Sequence, residues 1–264
     1  MNQLTIADLK VGSKLVFGQY GVGEATRPIT WLKANREGGE FLSEYVLDLL
    51  KFDAEEQNSP NPDHRYRGNS NYGLSNIFQF MNSYEDDWFI PSHQYDCPPG
   101  NYNRPGDRTG DYLHHPGFLN AFEDYEIECL AGSVNLPTLA NIFGANGETR
   151  MQFFNRKGYR GRPSSDLVYG KHGRYLEETS YCEYWLSDGT DSSSCRLFIG
   201  RDGSKHNTSA DTAVGFRPKC VIKPTTEVEP IGDGSFRIVP FEPSRRRGPQ
   251  IATDEELLNL MGLL

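Results

Sequence analysis

The stretch YWLSDGTDSSSCRLFIGRDGSKHNTSADTAVGFRPKCVIK, residues 184–223, carries the clearest structural signal in the chain. Its apolar and aromatic residues fall into runs at 184–186, 195–200 and 214–223, which predict three strands. Asp202-Gly203 predicts a hairpin turn between the second and third runs, because an Asp-Gly pair tolerates the positive φ angles of tight hairpins. We therefore expect a β-sheet in this part of the chain.

Further strands are expected on both sides of this stretch. Residues 14–20 (KLVFGQY) predict a strand that pairs with 28–34 (PITWLKA) through a glycine-containing turn. Residues 125–130 and 235–241 predict two more strands. Residues 41–52 (FLSEYVLDLLKF) fit a helix face and also a buried strand followed by a bend, so periodicity leaves both elements open.

Helices are expected to be few and short. The apolar residues of 74–81 (LSNIFQFM) recur at helical spacing, and Ser75 or an asparagine just upstream is suited to cap the helix. Residues 136–143 predict a helix of one or two turns with a proline in its first turn. Residues 116–122 predict a short helix or turn.

Long polar segments separate these elements. Residues 53–72, 92–116 and 144–175 are rich in turn-forming residues and predict surface loops. The 27 glycines, 16 prolines and 12% aromatic residues are typical of a domain of short strands and loops rather than a helical bundle. The fold class we expect is α+β, with short antiparallel sheets, few helices and long irregular loops.

Composition excludes several classes of protein. The 264 residues suffice for one large domain or two small ones. With 36 Asp and Glu against 27 Lys and Arg, the formal charge of −9 disfavours binding to nucleic-acid phosphates. No run approaches the roughly 18–20 apolar residues of a membrane helix, and the N-terminus lacks the basic start and apolar run of a secretory signal. We expect no nucleic-acid partner and no membrane insertion.

The five cysteines predict reduced thiols. Their number is odd and no pair has CxxC spacing, which disfavours a zinc site or a redox pair. In a protein made in a reducing cytosol, buried free thiols are expected, with a bridge from Cys182 to Cys195 as the alternative.

The C-terminal segment differs from the rest. We expect a main domain over 1–242, a basic Pro/Gly linker over 243–252 and an amphipathic helix over 253–264. A capping box, Thr253 with Glu256, opens that helix. So short a helix is marginal alone in water, so its apolar residues are expected to dock on another structural protein or on a second copy. These docking residues are Leu257, Leu258, Leu260, Met261 and Leu264.

Metal-binding residue types occur without a metal-binding pattern. The ligand types at 93, 97, 114 and 115 (His, Cys, His, His) match no metal motif, so no metal site is expected there. Asp188 and Asp191 resemble half of a calcium loop but lack its regular oxygen spacing and terminal glutamate. We expect an ordinary surface loop and no cofactor, with weak calcium binding left open.

Catalytic patterns are also missing from the sequence. No Gly-x-Ser-x-Gly elbow, convincing Cys–His pairing or glycine-rich phosphate loop occurs in a suitable setting. The basic segment 155–162 (NRKGYRGR) is suited to an anionic ligand, but intramolecular pairing in an acidic protein is the more ordinary role. We expect a protein that is not an enzyme.

An ordered set of motifs covers most of the chain, from about residue 12 to 224. It resembles the domain of unknown function 6273 family of Gram-positive bacteria and their phages. The matching pieces are FGQY (17–20), PITW (28–31), FLSEYVLDLLKFDA (41–54), YGLSNIFQFMNS (72–83) followed by Trp88, HPGFLNAF (115–122), VNLPTLANIFG (134–144), YWLSDG (184–189) and GFRPKCVIKP (215–224).

This resemblance implies a fold similar to the C-type-lectin-like and formylglycine-generating-enzyme-like folds, in which an α+β scaffold holds two small sheets and displays long loops. Trp31, Trp185 and Phe216 are then expected in the core, and Arg217 near the final strand of the scaffold, paired with a buried carboxylate. The calcium signature of lectins and the paired catalytic cysteines of the formylglycine enzymes have no counterpart in the sequence.

The phage context, which comes from the resemblance alone, implies a virion protein made in the host cytoplasm. We expect a non-enzymatic structural or adhesion protein that recognises a host-surface glycan or protein. The alternatives are a purely structural capsid or tail component and a formylglycine-generating-like enzyme. Because related folds bind ligands through their loops, the expected ligand-binding residues are Tyr181, Tyr184, Asp188, Asp191, Arg201, Lys205, His206 and Asn207.

Overall fold

The computed structural model describes residues 3–21, 26–35, 38–100, 111–144, 162–163 and 182–244. Within these ranges the chain is rich in β-structure, with two mixed sheets, one two-stranded ribbon and short helices. The strands are β1 (Lys14–Tyr20), β2 (Arg27–Lys33), β3 (Glu40–Ser43), β4 (Tyr45–Val46), β5 (Asp48–Lys51), β6 (Arg162–Pro163), β7 (Tyr184–Gly189), β8 (Cys195–Ile199), β9 (Lys205–Ser209), β10 (Ala213–Phe216), β11 (Lys219–Val221), β12 (Val228–Pro230) and β13 (Ser235–Ile238).

The first sheet has six strands in the order β11-β3-β2-β1-β13-β12. The hairpin of β1 and β2 is antiparallel, with Leu15 opposite Trp31. On its other side β1 pairs with β13 in parallel, with Leu15 opposite Phe236. The sheet therefore joins the two ends of the described chain.

The second sheet has five strands in the order β5-β10-β7-β8-β9. It contains one parallel pair, β10 with β7, among antiparallel pairs. The expected antiparallel arrangement therefore holds for most pairs, but each large sheet includes a parallel one. The ribbon of β4 and β6 is also parallel.

The helices are short and carry sequence-encoded caps. They are α1 (Pro62–Arg67), α2 (Asn76–Met81), α3 (Asp124–Cys129) and α4 (Leu139–Phe143), together with 3₁₀ turns at Ile6–Asp8, Tyr72–Leu74 and Phe118–Ala121. The predicted helix in 74–81 is confirmed as α2, and the side chain of Ser75 accepts the backbone N–H of Phe78 at its start. Among the residues that the structure describes, no helix has both the length and the apolar character needed to cross a bilayer.

The main core draws side chains from both sheets and from α2. The predicted core residues Trp31, Trp185 and Phe216 are fully buried. Each indole also has a hydrogen bond: the Nε1 of Trp31 donates to the Phe17 carbonyl oxygen at 3.1 Å, and that of Trp185 donates to the Leu50 carbonyl oxygen at 2.8 Å. Buried indoles that are hydrogen-bonded in this way fix both sheets in one arrangement.

Several predicted elements differ from the structure. Of the predicted strand at 125–130, residues 125–129 lie in α3, because Glu123 and Glu126 make a reciprocal capping box at its start. Residues 41–52 form strands. The predicted strand at 214–223 is two strands, β10 and β11, interrupted at Arg217-Pro218. The predicted loop at 53–72 contains α1.

The expected C-terminal helix, 253–264, lies outside the described residues, as do its docking residues and most of the linker.

Candidate functional site

The hairpin of β8 and β9 carries half of the predicted ligand-binding residues, at its tip and along β9. Asp202-Gly203 forms the predicted turn, and Gly203 has a φ of +86°. The turn closes through two backbone bonds, from Gly200 N–H to the Ser204 oxygen at 2.8 Å and from Gly203 N–H to the Gly200 oxygen at 2.9 Å. It leads into β9, a strand that the sequence analysis missed.

A cluster of exposed polar side chains surrounds this turn. We call it the turn cluster; its members are Arg201, Asp202, Ser204, Lys205 and His206. The Asp202 carboxylate accepts the backbone N–H of Ser204 at 2.9 Å and its hydroxyl at 2.6 Å. These hydrogen bonds, led by that from the hydroxyl, lower the pKa of Asp202 to about 2. Three exposed members of the cluster, Asp202, Ser204 and His206, are thus joined by hydrogen bonds.

The Ser, His and Asp of the turn cluster do not form a hydrolytic triad. In such a triad one ring nitrogen of the histidine contacts the serine and the other contacts the aspartate. Here the Nε2 of His206 contacts both Ser204 Oγ, at 2.8 Å, and Asp202 Oδ1, at 3.4 Å. Since Ser204 also donates its hydroxyl to Asp202, the arrangement orders the turn and does not activate a nucleophile.

His206 connects the turn cluster to the core. Its ring stacks on Phe198 with a centroid distance of 5.5 Å, and Phe198 in turn meets the edge of buried Trp185 at 6.3 Å. Lys205 and Asn207 lie on the opposite face of the sheet, because successive residues of a strand alternate between its faces. The predicted residues of β9 are thus exposed but do not form a single face.

Residues at the other end of the hairpin have different surroundings. The Asp188 carboxylate accepts the backbone N–H of Leu139 at 2.6 Å, in the first turn of α4. Asp191 is exposed in the loop between β7 and β8. That loop and the turn cluster lie at opposite ends of β8, about 16 Å apart at 3.3 Å per strand residue. The two aspartates therefore do not join the turn cluster.

Tyr184, another of the predicted ligand-binding residues, is not at an exposed site. It begins β7, in agreement with the strand predicted at 184–186, and is 1% exposed, because its ring packs against the guanidinium of Arg217 at 4.9 Å. Its placement in a ligand-binding set is therefore corrected to the core. Arg217 is fully buried and donates to the carbonyl oxygens of Ser43 and Glu44, so carbonyl acceptors hold it in place. Tyr181 lies outside the described residues.

Arg196 on β8 anchors the hairpin to residues 52–72. It is 5% exposed, donates to the Ser70 carbonyl oxygen at 2.5 Å and lies over the rings of Phe52 and Tyr72. Burial lowers its pKa to about 10, which still leaves it charged at neutral pH. Ser70 also bonds the backbone of the loop between β7 and β8, so residues 52–72 and the hairpin are held together.

The structure contains contacts between buried carboxylates and histidines that no sequence motif predicted. Buried Glu56 lies 3.2 Å from a ring nitrogen of His64 on α1 and 3.2 Å from one of His93. His115, by contrast, lies 4.0 Å from Asp48, so the metal-ligand types of 93–115 diverge. Over the described ranges, no group of three or more His, Cys, Asp or Glu is arranged to hold a metal ion.

All five cysteines are free thiols, and three of them are buried. Cys182 and Cys195 are not joined by a bridge in this structure. Cys182 precedes β7 beside the turn-cluster end of the hairpin, whereas Cys195 begins β8 at the opposite end. Burial raises the pKa of Cys182 to about 11, so its thiol is protonated at neutral pH.

Comparison with protein-family models, with curated proteins and with solved structures finds no match to this chain. The resemblance to the domain of unknown function 6273 family therefore stays a prediction.

Proposed function

We propose that the protein is a non-enzymatic adhesion protein of a phage or prophage virion, in which a C-type-lectin-like scaffold presents the turn cluster to a host-surface glycan or protein. The virion setting and the lectin-like classification rest on the sequence resemblance. The observation that carries the binding role is the turn cluster itself. It is an exposed set of donors and acceptors in which Asp202, Ser204 and His206 are joined by hydrogen bonds, and His206 stacks on Phe198.

Pre-organisation is the physical reason for choosing this end of the hairpin. A flexible loop loses conformational entropy when it binds, and a loop held in one conformation loses less. Stacking of His206 on Phe198, and the contact of Phe198 with Trp185, hold the turn cluster from one face of the sheet. Arg196 fixes the strand that leads into it.

The chemistry of the turn cluster suits recognition better than catalysis. It offers a guanidinium and a carboxylate in the turn, and an ammonium and an imidazole on opposite faces of the first two residues of β9. Its serine and histidine lack triad geometry, and the nearby Cys182 is buried with a raised pKa. These features support a binding role over the formylglycine-generating-like alternative, which needs a reactive thiol beside a second one.

A binding experiment tests the proposal. Labelled full-length protein is incubated with host cells, and bound protein is measured by flow cytometry. We expect saturable binding that Lys205→Ala and His206→Ala each weaken about tenfold, because truncating an interface residue that contributes to binding costs more than about 1 kcal/mol, and about 1.4 kcal/mol corresponds to a tenfold change. The matched controls are Lys10→Ala and His114→Ala, at exposed positions elsewhere. Equal binding by all four variants would contradict the proposal.

Carriage on the virion is tested separately. Residues 245–264 contain the expected docking leucines, and deleting them keeps Ser244, whose backbone N–H and hydroxyl bond the Glu128 carboxylate at 2.7 Å each. We expect the truncated protein to fold and bind cells but to be absent from purified particles. Its normal incorporation would contradict docking through this segment, and a folded chain that is incorporated but binds no cells would favour the purely structural component.

A further inference from the structure

A second concave surface lies on the first sheet, away from the turn cluster. It is a groove of about 880 Å³ between β1, the connection from the 3₁₀ turn Phe118–Ala121 to α3, and β13. We call it the α3 groove. The lining residues used below are Gly18, Gln19, Asn120, Glu123, Tyr125 and Arg237.

The floor of the α3 groove is fixed by a buried carboxylate. The register of β1 with β2 shifts between Val16 and Gln19, and Gly18 at this bulge has a φ of +68°. Both carboxylate oxygens of Glu126 lie 3.2 Å from the Gly18 nitrogen, and one of them also accepts the Glu123 N–H at 2.9 Å. The bulge and the start of α3 are thereby held in one relative position.

Gly18 is required at this place for a second reason. A Cβ atom there would lie 2.7 Å from the ring of buried Phe122. Positive φ and this close approach together favour glycine. The floor of the groove is therefore part of the packed structure.

The walls of the groove combine amides with an aromatic ring. Gln19 on β1 and Asn120 on the 3₁₀ turn are exposed. Tyr125 is half-buried, and its ring meets Phe241 edge to face at 6.0 Å, which fixes its orientation. Amide side chains donate and accept hydrogen bonds, and an aromatic face packs against C–H groups. This is the combination that hydroxyl-rich sugar rings require.

Charge in the groove disfavours an anionic ligand. Arg237 is ion-paired with Glu229, with 2.6 Å between its Nε and the carboxylate oxygen. Glu123 and Glu126 add negative charge beside it. A cationic ligand is disfavoured too, because the carboxylate of Glu126 is already satisfied by backbone N–H groups and Glu123 is engaged with it in the capping box of α3. A volume of about 880 Å³ falls in the range of small-ligand sites.

We propose that the α3 groove binds a neutral oligosaccharide, stacked on Tyr125 and hydrogen-bonded by Gln19 and Asn120. This is a second ligand site, separate from the turn cluster and independent of it. Its location on the first sheet allows an oligosaccharide and a turn-cluster ligand to be bound at the same time.

The full chain is tested against a printed panel of neutral and of sulfated or sialylated oligosaccharides, followed by calorimetric titration with the best neutral trisaccharide. We expect binding to neutral glycans only. Gln19→Ala and Tyr125→Ala should each weaken it about tenfold, as expected for the loss of a hydrogen bond or a stacked ring in a small site. Exposed Gln19 tests the site even if Tyr125→Ala perturbs folding, which near-ultraviolet circular dichroism monitors.

Two results would overturn the groove proposal: no binding to any neutral glycan, or binding that survives both substitutions. Lys205→Ala is the control and should leave the titration unchanged. If Gln19→Ala and Tyr125→Ala bind host cells normally while the protein binds no neutral glycan, the groove proposal fails and the turn-cluster proposal stands. If the protein binds a neutral glycan in the titration while Lys205→Ala and His206→Ala both leave binding to host cells unchanged, the turn-cluster proposal fails and the groove proposal stands.

Discussion

Arg196→Met tests whether the hairpin is held by a buried cation. Methionine keeps the apolar length of the side chain and removes the guanidinium. The lost interactions are a charge-assisted hydrogen bond to Ser70, at 2.5 Å, and cation–π contacts with Phe52 and Tyr72 at 4.7 and 5.5 Å. Such a hydrogen bond contributes about 1.5–3 kcal/mol and the cation–π contacts about 1–2 kcal/mol.

Relief of the buried charge offsets part of this loss, since desolvating a guanidinium costs free energy that methionine does not incur. The net expectation is a decrease of about 2 kcal/mol in the free energy of unfolding. For a domain of this size the melting temperature should fall by about 4–8 °C.

The assay is urea unfolding followed by tryptophan fluorescence, with Arg237→Met as the matched control. Arg237 makes an exposed ion pair, and such pairs contribute about 0–1 kcal/mol. An unfolding midpoint for Arg196→Met equal to that of the unmodified chain would refute the reasoning that this cation clamps the hairpin.

Three further predictions concern single contacts. Gly18→Ala should lower the free energy of unfolding by about 3 kcal/mol in urea titrations, since it combines positive φ with a clash against Phe122; a change under about 1 kcal/mol would contradict the requirement for glycine. Trp185→Phe should cost about 1–3 kcal/mol, measured in the same way, because a buried carbonyl oxygen of β5 loses its donor; an unchanged midpoint would argue against that hydrogen bond. The folded pKa of Asp202 lies below its ordinary value, so its stabilising bonds to Ser204 are present above about pH 4 and are lost as pH falls toward 2. The amide proton signal of Ser204 should therefore titrate in NMR spectra with a midpoint near pH 2, and a midpoint near 4 would contradict the bonded turn.

Strands with apolar residues were predictable from local sequence, whereas β9 was not. KHNTS contains no apolar residue, and β9 is a strand because it pairs along its length with β8. Its polar side chains are typical of a loop, and Lys205, His206 and Asn207 are indeed exposed. Because β9 is a strand, however, these residues alternate between the two faces of the sheet, which a loop does not predict. A weak signal was present, since Asp202-Gly203 required a second strand directly after the turn.

Contacts between residues far apart in the sequence could not be predicted from local patterns. The parallel contact of β1 with β13 joins residues more than 200 positions apart, and no local pattern encodes it. Tyr184 was assigned to the ligand-binding set because related folds bind ligands through their loops, yet its ring packs against a buried arginine. In α3, the spacing of Glu123 and Glu126 carried a capping-box signal that the strand prediction overlooked.

The α3 groove could not be predicted from local sequence for a similar reason. Its floor depends on Glu126 reaching Gly18, a residue 108 positions earlier, and only the folded chain brings the two together.

Hydrogen exchange of the full chain with and without host cell envelopes tests the central claim most directly. Peptides covering residues 200–207 report on the turn cluster, and those covering 117–127 report on the α3 groove. Our account predicts slower exchange of the amides in 200–207 when envelopes are present. Unchanged exchange in 200–207, with protection confined to other segments, would contradict it.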